Sequence, residues 1–193
     1  FPLSTVAWST WRDAHPDGLV LSEETGFRRD YGRNPYPGYD DVDGVPFLFQ
    51  GEVDGRFTAM TRIIGIERDG VALGIPLFEL QDDRVITARI GDVDLVTWWT
   101  PGTASALDTA SIEAGADVGA TGVFVPVVDG QTLTFTPSGD DGFVDDQTGS
   151  IWNVLGDAVA GPLAGAQLDA VSHVDTFWFA WSTFRPDTEV QPG

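Results

Sequence analysis

Apolar and polar residues alternate in four stretches of the chain, and a turn sequence divides each stretch into two arms. Alternation with a period of two is typical of a β-strand that has one buried face. An Asp-Gly pair between two such arms favours a two-residue hairpin, because both turn positions take a positive φ. The pattern therefore predicts four β-hairpins, at residues 62–77, 84–99, 122–135 and 142–152, with turns at residues 68–70, 91–92, 129–130 and 146–149.

The remaining segments have weaker patterns. Residues 166–173 are predicted to form one more strand, whereas residues 104–119 fit either a strand followed by a loop, which we favour, or a short helix. Residues 30–55 show neither the apolar period of a strand nor that of a helix, and we predict that they form a long loop. With 23 Gly and 12 Pro between short strands, the predicted fold class is mainly β, an antiparallel sheet curled into a barrel or sandwich.

The two ends of the chain carry the same motif. WSTWRDAHPDGLV at residues 8–20 and WFAWSTFRPDTEV at residues 178–190 share Trp, Trp, Pro, Asp and Val in one ungapped frame. Each motif predicts a short amphipathic helix, because its Trp residues are three apart and the residue before Pro leaves the helical conformation. Ser4 or Thr5 is expected to cap the first helix. The predicted organisation is a tail-like helix at residues 1–20, which repeats the C-terminal motif, followed by one β-rich domain at residues 21–193.

The charge balance narrows the possible environment and partners. The chain has 30 acidic residues against 10 basic ones, all of them Arg, and a formal net charge of −20. Such self-repulsion destabilises a compact protein in dilute buffer, and multimolar salt screens most of it. We therefore predict a protein of a salt-adapted organism; the alternative is an ordinary acidic protein from a GC-rich genome. Because no basic stripe could neutralise phosphates, nucleic-acid binding is excluded.

Composition also excludes several kinds of chemistry. The chain has no Cys, so it can form neither a disulfide nor a Cys-ligated metal site, and it has no thiol nucleophile. No run approaches the roughly 20 apolar residues of a membrane span. The opening FPLSTVAW lacks the basic region and long apolar region of a signal peptide. Apolar residues make up 42% of the chain, enough to fill one sizeable core.

The chain has two histidines, and the expected role of both is hydrogen bonding to the backbone near the ends of the Trp helices. A Ser nucleophile would need a positioned base, so the triad to consider is Ser105 or Ser150 with His173 and an Asp. Neither Ser lies in a Gly-x-Ser-x-Gly elbow, and turn geometry explains both. We therefore predict no catalytic residue. The alternative is a hydrolase-like or metal-binding protein that uses a pocket around Thr103, Ser105, Thr148, Ser150 and His173.

Acidic residues cluster twice in predicted turns and loops, where carboxylates can bind hard cations. The sequence lacks the twelve-residue order of an EF-hand loop, and in so acidic a chain we expect these clusters to be solvated surface. No cofactor is predicted, and weakly bound Ca²⁺, Mg²⁺ or Na⁺ is the alternative. The candidate metal ligands are Asp40, Asp41, Asp43, Asp145 and Asp146, with Asp140 and Asp141 close to the second group.

Aromatic and Arg side chains provide candidate contacts to a ligand or partner. Residues 28–39 read RRDYGRNPYPGY, and Arg forks beside Tyr rings can hold a carboxylate, sugar or peptide. The simpler interpretation is that these scarce Arg residues bridge Asp and Glu and pin the long loop. An exposed Trp pair would indicate a protein partner, whereas a buried pair would belong to the core. The candidates are Arg28, Tyr31, Arg33, Tyr36, Trp98 and Trp99.

Several longer stretches resemble one family. They are AHPDGLVLSEETGFRRDYGRNPYPGYDD, PGTASALD, DGQTLTFTPSGDDGFVDDQTGSIWN, GPLAGAQL and FWFAWSTFRPDTEV. Over essentially its whole length the chain is similar to domain of unknown function 3179 (DUF3179), whose members occur in bacteria and haloarchaea and are often secreted or lipid-anchored. Members commonly look duplicated, so the resemblance implies a C-terminal-type unit of a haloarchaeon, in which residues 1–20 resemble the tail of a preceding unit. It also implies an extracytoplasmic location.

In one region the chain differs from units of that family that carry Cys and His residues. Those units carry a sequence like Val-Thr-Tyr-Cys-Pro-Leu-Cys-Gly-Thr-Ala and a preceding Trp-His-Glu, whereas this chain reads VTWWTPGTA at residues 96–104 and PLFELQDDRV at residues 76–85. Both thiols and the His are missing, and neither Trp nor Thr replaces a thiolate. We therefore expect a non-catalytic binding or assembly module whose partner is another protein or a cell-surface component.

Overall fold

The computed structural model describes residues 3–140 and 142–191, and this part of the chain is mainly β, as predicted. Short strands are separated by turns and by three one- to two-turn α-helices. The helices are α1 (Trp8–Ala14), α2 (Leu77–Asp83) and α3 (Trp178–Phe184). The strands are β1 (Arg62–Arg68), β2 (Val71–Pro76), β3 (Val85–Ile90), β4 (Val93–Thr100), β5 (Ala120–Val125), β6 (Val127–Val128), β7 (Gln131–Thr132), β8 (Phe135–Ser138), β9 (Gly142–Asp145), β10 (Ile151–Trp152), β11 (Ala158–Ala160), β12 (Asp169–Ala170), β13 (His173–Phe177) and β14 (Glu189–Val190).

The strands form three separate four-stranded sheets and do not close into a barrel in the described part of the chain. The first sheet has the order β13-β1-β2-β14, the second β12-β5-β4-β3 and the third β11-β10-β9-β8, while β6 and β7 form a small hairpin. Neighbouring strands are antiparallel except β14, which pairs with β2 in parallel. The structure therefore confirms the predicted antiparallel sheets, and these sheets form no closed barrel in the described residues.

Three of the four predicted hairpins are confirmed. The hairpin predicted at residues 122–135 forms only as the short pair β6 and β7, because β5 pairs with β4 and β12 while β8 pairs with β9. Strands β1 and β2 pair up to Arg68 and Val71, and the turn residues Asp69 and Gly70 have φ values of 50° and 82°. In the hairpin of β6 and β7, Asp129 and Gly130 have φ values of 51° and 78°. Positive φ at both turn positions matches the right-handed twist of the flanking strands, which is why Asp-Gly predicts the turn from sequence alone.

The second sheet is buried on both faces. Leu95 of β4 packs into a core with the Ile and Leu residues of β1, β2 and β3, whereas Val96 and Trp98 pack into another core with the third sheet. Trp98 is fully buried and stacks on Phe143, with ring centroids 4.4 Å apart. Since side chains alternate across a strand, the almost continuous apolar run of β4 supplies both cores. Trp98 is therefore a core residue and provides no contact surface for a partner.

Three local predictions are corrected by the structure. Residues 77–83 form α2, which the sequence pattern did not predict. Residues 166–173 form only the short strand β12 and the first residue of β13. Residues 104–119 contain no named strand, only isolated bridges and a 3₁₀ turn at Ile112–Ala114. The long-range contacts that decide such weak segments are not visible in a local pattern.

The two Trp helices end alike but pack differently. The residues that follow them, His15 and Arg185, have φ/ψ of −129°/67° and −137°/65°, and each donates its N–H to the carbonyl of the second Trp. Ala7 precedes α1 without a side-chain cap, so the expected capping by Ser4 or Thr5 is wrong. Trp178 is fully buried, whereas its counterpart Trp8 is 55% exposed. Of the two Trp helices, only α3 is thus part of the core. No helix in the described residues is long and apolar enough to cross a membrane.

The long loop at residues 30–55 is held by main-chain hydrogen bonds. Asn34, Gly38 and Tyr39 donate their N–H groups to carbonyls of residues 107–110. Arg33 forms an ion pair only within the loop, with Asp30 at 3.6 Å. The backbone, rather than the Arg side chains, therefore fixes the loop against residues 104–115, and this places Asp40 next to Ser105.

Candidate functional site

Three of the five residues of the predicted pocket line one cleft, of about 480 Å³, which we call the polar cleft. Thr103 and Ser105 reach it from the loop after β4, and His173 from the first position of β13. The other two predicted residues, Thr148 and Ser150, do not line it. They lie in the turn between β9 and β10. The structure therefore divides the predicted pocket into two unrelated sites.

His173 presents a hydrogen-bond acceptor to the polar cleft. Its Nδ1 lies 3.0 Å from the carbonyl oxygen of Val171. A carbonyl only accepts hydrogen bonds, so we assign the ring proton to Nδ1, which leaves Nε2 with a lone pair. Burial lowers the pKa of His173, and this effect exceeds the raising effects of the Val171 hydrogen bond and of Asp175. The imidazole is therefore neutral at pH 7 and can accept a hydrogen bond.

Thr103 contributes a second acceptor in an enclosed position. The main chain around it is fixed by the Asp117 carboxylate, which accepts the N–H groups of Gly102 and Thr103 at 2.8 and 3.1 Å. Thr103 is 7% exposed, and its Oγ1 is buried without a hydrogen-bond partner in the described structure. A buried hydroxyl without a partner costs about 1–3 kcal/mol. A ligand that hydrogen-bonds to Oγ1 would recover this free energy.

Ser105 is held by the long loop rather than by His173. Its Oγ donates a hydrogen bond to Oδ2 of Asp40 and accepts one from the N–H of Leu107 at 3.1 Å. Ser105 is only 2% exposed. Among the described contacts, none joins Ser105 to His173. The arrangement therefore fixes Asp40 beside Ser105. It does not have the nucleophile–base geometry that a Ser hydrolase requires.

An ion pair in the wall of the polar cleft neutralises its one Arg. Arg62 of β1 forms a bidentate ion pair with Asp175 of β13: its Nε donates to Oδ1 at 3.0 Å and its Nη2 donates to Oδ2. The two side chains are 24% and 28% exposed. Bidentate pairs of this kind are among the strongest hydrogen-bonded ion pairs. The Arg in the described wall of the cleft is thus not free to bind an anionic ligand.

Thr148 and Ser150 belong to a closed network around Asp145. The Asp145 carboxylate is fully buried and accepts hydrogen bonds from the N–H and Oγ1 of Thr148, the N–H of Ser150 and Nε1 of Trp152, at 2.6 to 3.1 Å. Burial raises the pKa of Asp145, but the hydrogen bonds from Trp152, Thr148 and Ser150 outweigh it and lower the pKa below the ordinary value. Ser150 Oγ also accepts the N–H of Leu163 at 2.9 Å. These groups are satisfied among themselves, so the network supports the third sheet.

The acidic candidates do not converge. Asp41 Oδ1 accepts the N–H of Asp43 in a local turn, and Asp146 Oδ2 accepts the hydroxyl of Thr134. In residues 3–140 and 142–191, no group of three or more His, Asp or Glu side chains is placed to hold a metal ion. Asp141 lies outside the described residues. Weak cation binding by these residues stays a prediction.

The aromatic and Arg candidates lie apart from the polar cleft. Tyr31 is half exposed and its hydroxyl lies 2.8 Å from Thr25 Oγ1, while Tyr36 packs beside Phe47 with centroids 5.5 Å apart. Trp99 is half-buried and donates its Nε1–H to the Val118 carbonyl at 2.8 Å. Arg28 and Arg33 are exposed on the long loop. Trp99 therefore supports the wall of the polar cleft, and the other four form an open surface.

Sequence reasoning missed the charged residues of the site. Asp40 was considered only as a metal ligand, and Arg62 and Asp175 were not considered. The available signal for Arg62 and Asp175 was weak, because one begins a predicted strand and the other precedes a predicted helix. Their pairing depends on the contact between β1 and β13, which joins residues more than 100 positions apart.

Comparisons with known proteins agree with the resemblance seen in the sequence. Searches of the curated proteins and of the solved structures give no match. A family model described as "Protein of unknown function (DUF3179)" matches residues 1–188, which is nearly the whole chain. The chain therefore belongs to the DUF3179 family.

Proposed function

We propose that the protein is a non-catalytic binding module whose polar cleft binds a small organic molecule through hydrogen-bond donors on that molecule. The observation that carries the proposal is Thr103, which lines the cleft and has a buried Oγ1 without a hydrogen-bond partner in the described structure. His173 adds Nε2 as a second acceptor, and Asp40 adds negative charge beside Ser105. A hydroxyl or a protonated amine matches these groups.

Binding fits the geometry better than hydrolysis does. A Ser nucleophile has to give its proton to a base that another group orients. The Ser105 hydroxyl is instead committed to Asp40, and His173 is oriented by Val171 with its acceptor nitrogen unengaged. The same contacts leave Nε2 of His173 free to accept a hydrogen bond from a ligand.

The proposal also concerns the setting of the protein. We infer an extracytoplasmic domain of a salt-adapted organism, a haloarchaeon, in which the chain is a C-terminal-type unit. The net charge of −20 supports salt adaptation, and the resemblance to secreted and lipid-anchored family members supports the location. A negative field of this size attracts cations and repels anions, which favours a ligand that carries an amine.

We expect ethanolamine, which carries a hydroxyl and an ammonium group, to bind in the polar cleft. Replacing Thr103→Val keeps the shape of the side chain and removes Oγ1, so affinity should fall about fivefold, the equivalent of ~1 kcal/mol for one hydrogen bond. NMR chemical-shift titration in molar KCl measures both affinities. Thr136→Val, on an exposed position of β8, is the matched control and should change nothing. Equal affinity of the Thr103→Val variant and the parent would refute the assignment of the site.

The pH dependence of ethanolamine binding should report on His173. Because burial lowers the pKa of His173, the ring stays neutral through the neutral range and accepts a hydrogen bond there. The pKa of His173 lies below the ordinary His value of about 6.5, so the ring becomes protonated only when the pH falls to that lower value. The imidazolium cation then repels an ammonium ligand. Affinity should therefore be constant above pH ~6.5 and fall on acidification. A flat profile for the parent, or the same fall in a His173→Gln variant, would contradict this role.

A further inference from the structure

A second cavity, of about 690 Å³, lies beside the polar cleft. Arg62 and Val118 contribute to the walls of both spaces. Asp40 lines the second cavity, and it also accepts the hydrogen bond of Ser105 from the polar cleft. The two spaces are therefore neighbours that meet at Arg62 and Val118.

The second cavity, which we call the apolar cavity, is walled by a group of apolar side chains together with charged and polar ones such as Asp40, Arg56 and Gln81. Met60 and Leu77 form its buried part, with 2% and 4% exposure. Phe57 and Phe78 lie across from each other with ring centroids 6.4 Å apart, and Phe78 is 49% exposed. Apolar cavities of several hundred Å³ with a few polar groups at one side are typical of sites for small organic ligands.

The cations in the described walls of the two spaces are already paired. Arg62 holds Asp175, and Arg56 holds Asp54 with three side-chain hydrogen bonds of 2.8 to 3.1 Å while also donating to two backbone carbonyls. Hydrogen bonds from Arg56 lower the pKa of Asp54, which keeps this pair ionised. An anionic group would therefore find no free cation, whereas a donor would find Thr103, His173 and Asp40.

We propose, building on the proposed function, that the ligand is a cationic amphiphile: its protonated amine occupies the polar cleft and its hydrocarbon tail of several carbons occupies the apolar cavity. Because Arg62 and Val118 border both spaces, we place the ligand across these two side chains. Buried hydrocarbon adds affinity in proportion to the apolar area removed from water, and the acceptors select the sign of the head group.

The proposal is tested with three probes that differ in one part each: ethanolamine, n-hexylamine and n-hexanoate. Binding is measured by titration calorimetry with the full chain in molar KCl, near neutral pH, where bulk salt screens attraction to the surface. We expect n-hexylamine to bind at least tenfold more tightly than ethanolamine. We expect n-hexanoate to bind at least tenfold more weakly than n-hexylamine.

Two Phe variants show where the tail lies. Phe78→Ser removes part of the wall of the apolar cavity, so n-hexylamine should lose most of its advantage over ethanolamine while ethanolamine binds as before. Phe184 is 76% exposed on α3 and does not line either space, so Phe184→Ser is the matched control and should leave all three affinities unchanged. Both positions are exposed, and therefore both variants should fold.

Each outcome supports or overturns a defined step. Tighter binding of n-hexylamine that Phe78→Ser abolishes supports the amphiphile. Equal binding of ethanolamine and n-hexylamine overturns the tail site and leaves the proposed function standing. Equal binding of n-hexanoate and n-hexylamine overturns the preference for a cationic head. If none of the three probes binds, the proposed function falls, and the amphiphile falls with it.

Discussion

Transfer of the protein from molar KCl into dilute buffer is expected to unfold it. The formal net charge is −20, and the described residues form only seven ion pairs, most of them exposed. The Debye length grows from about 3 Å at 1 M to about 30 Å at 0.01 M, so carboxylates across the whole surface repel one another in dilute buffer. Salt also strengthens apolar burial when its ions are excluded from the protein surface.

The measurement follows tryptophan emission and far-ultraviolet circular dichroism during stepwise dilution of the salt. Trp98, Trp152 and Trp178 are fully buried, so unfolding should shift the emission strongly to longer wavelength. A variant with three exposed carboxylates neutralised, Asp92→Asn, Asp129→Asn and Asp187→Asn, should unfold at a lower salt concentration than the parent. Full retention of both signals by the parent protein in dilute buffer would show that the acidic surface is not an adaptation to salt.

The hairpins could be predicted from sequence because their information is local. Asp69-Gly70 and Asp129-Gly130 specify the turn through positive φ, and the flanking alternation specifies the strands. The arrangement of the sheets could not be predicted, because β13 pairs with β1 and β14 with β2 across more than 100 residues. The helix α2 escaped prediction for a related reason. The helix α2 begins directly after Pro76, the last residue of β2, and its first residues are apolar. In the sequence these residues therefore look like a continuation of the strand.

The candidate site shows the same division between local and long-range information. Thr103, Ser105 and His173 could be selected by residue type, and the structure places them around one cleft. Asp145 could be selected only as a possible metal ligand, although it accepts hydrogen bonds from its own turn and from Trp152. The apolar cavity was invisible in the sequence, since its wall joins the loop before β1 with α2. Such convergence follows from tertiary packing and leaves no spacing motif.

Replacing Asp145→Asn is expected to cost about 3 kcal/mol in the free energy of unfolding, because the substitution removes a charged acceptor that several donors share. An Asn amide would also point N–H groups at the Thr148 hydroxyl or the Trp152 indole, which donate to Oδ2 of the carboxylate in the parent protein. Guanidinium unfolding at constant high KCl measures the loss. Asp146→Asn, at the next residue, is the control. The Asp146 carboxylate is exposed and accepts one hydrogen bond from Thr134, so this substitution should cost less than about 1 kcal/mol in the free energy of unfolding.

The same pair of proteins should differ in their response to acid. The hydrogen bonds lower the pKa of Asp145 in the folded state below the value of about 4 that it has in the unfolded chain. The unfolded state therefore binds the proton first on acidification, and the stabilisation by Asp145 is complete above pH ~4 and is lost as the pH falls through the folded pKa. The stability difference between parent and Asp145→Asn should consequently shrink below pH ~4. A difference that stays constant down to the acid limit would mean that the Asp145 carboxylate is not the group that holds the third sheet together.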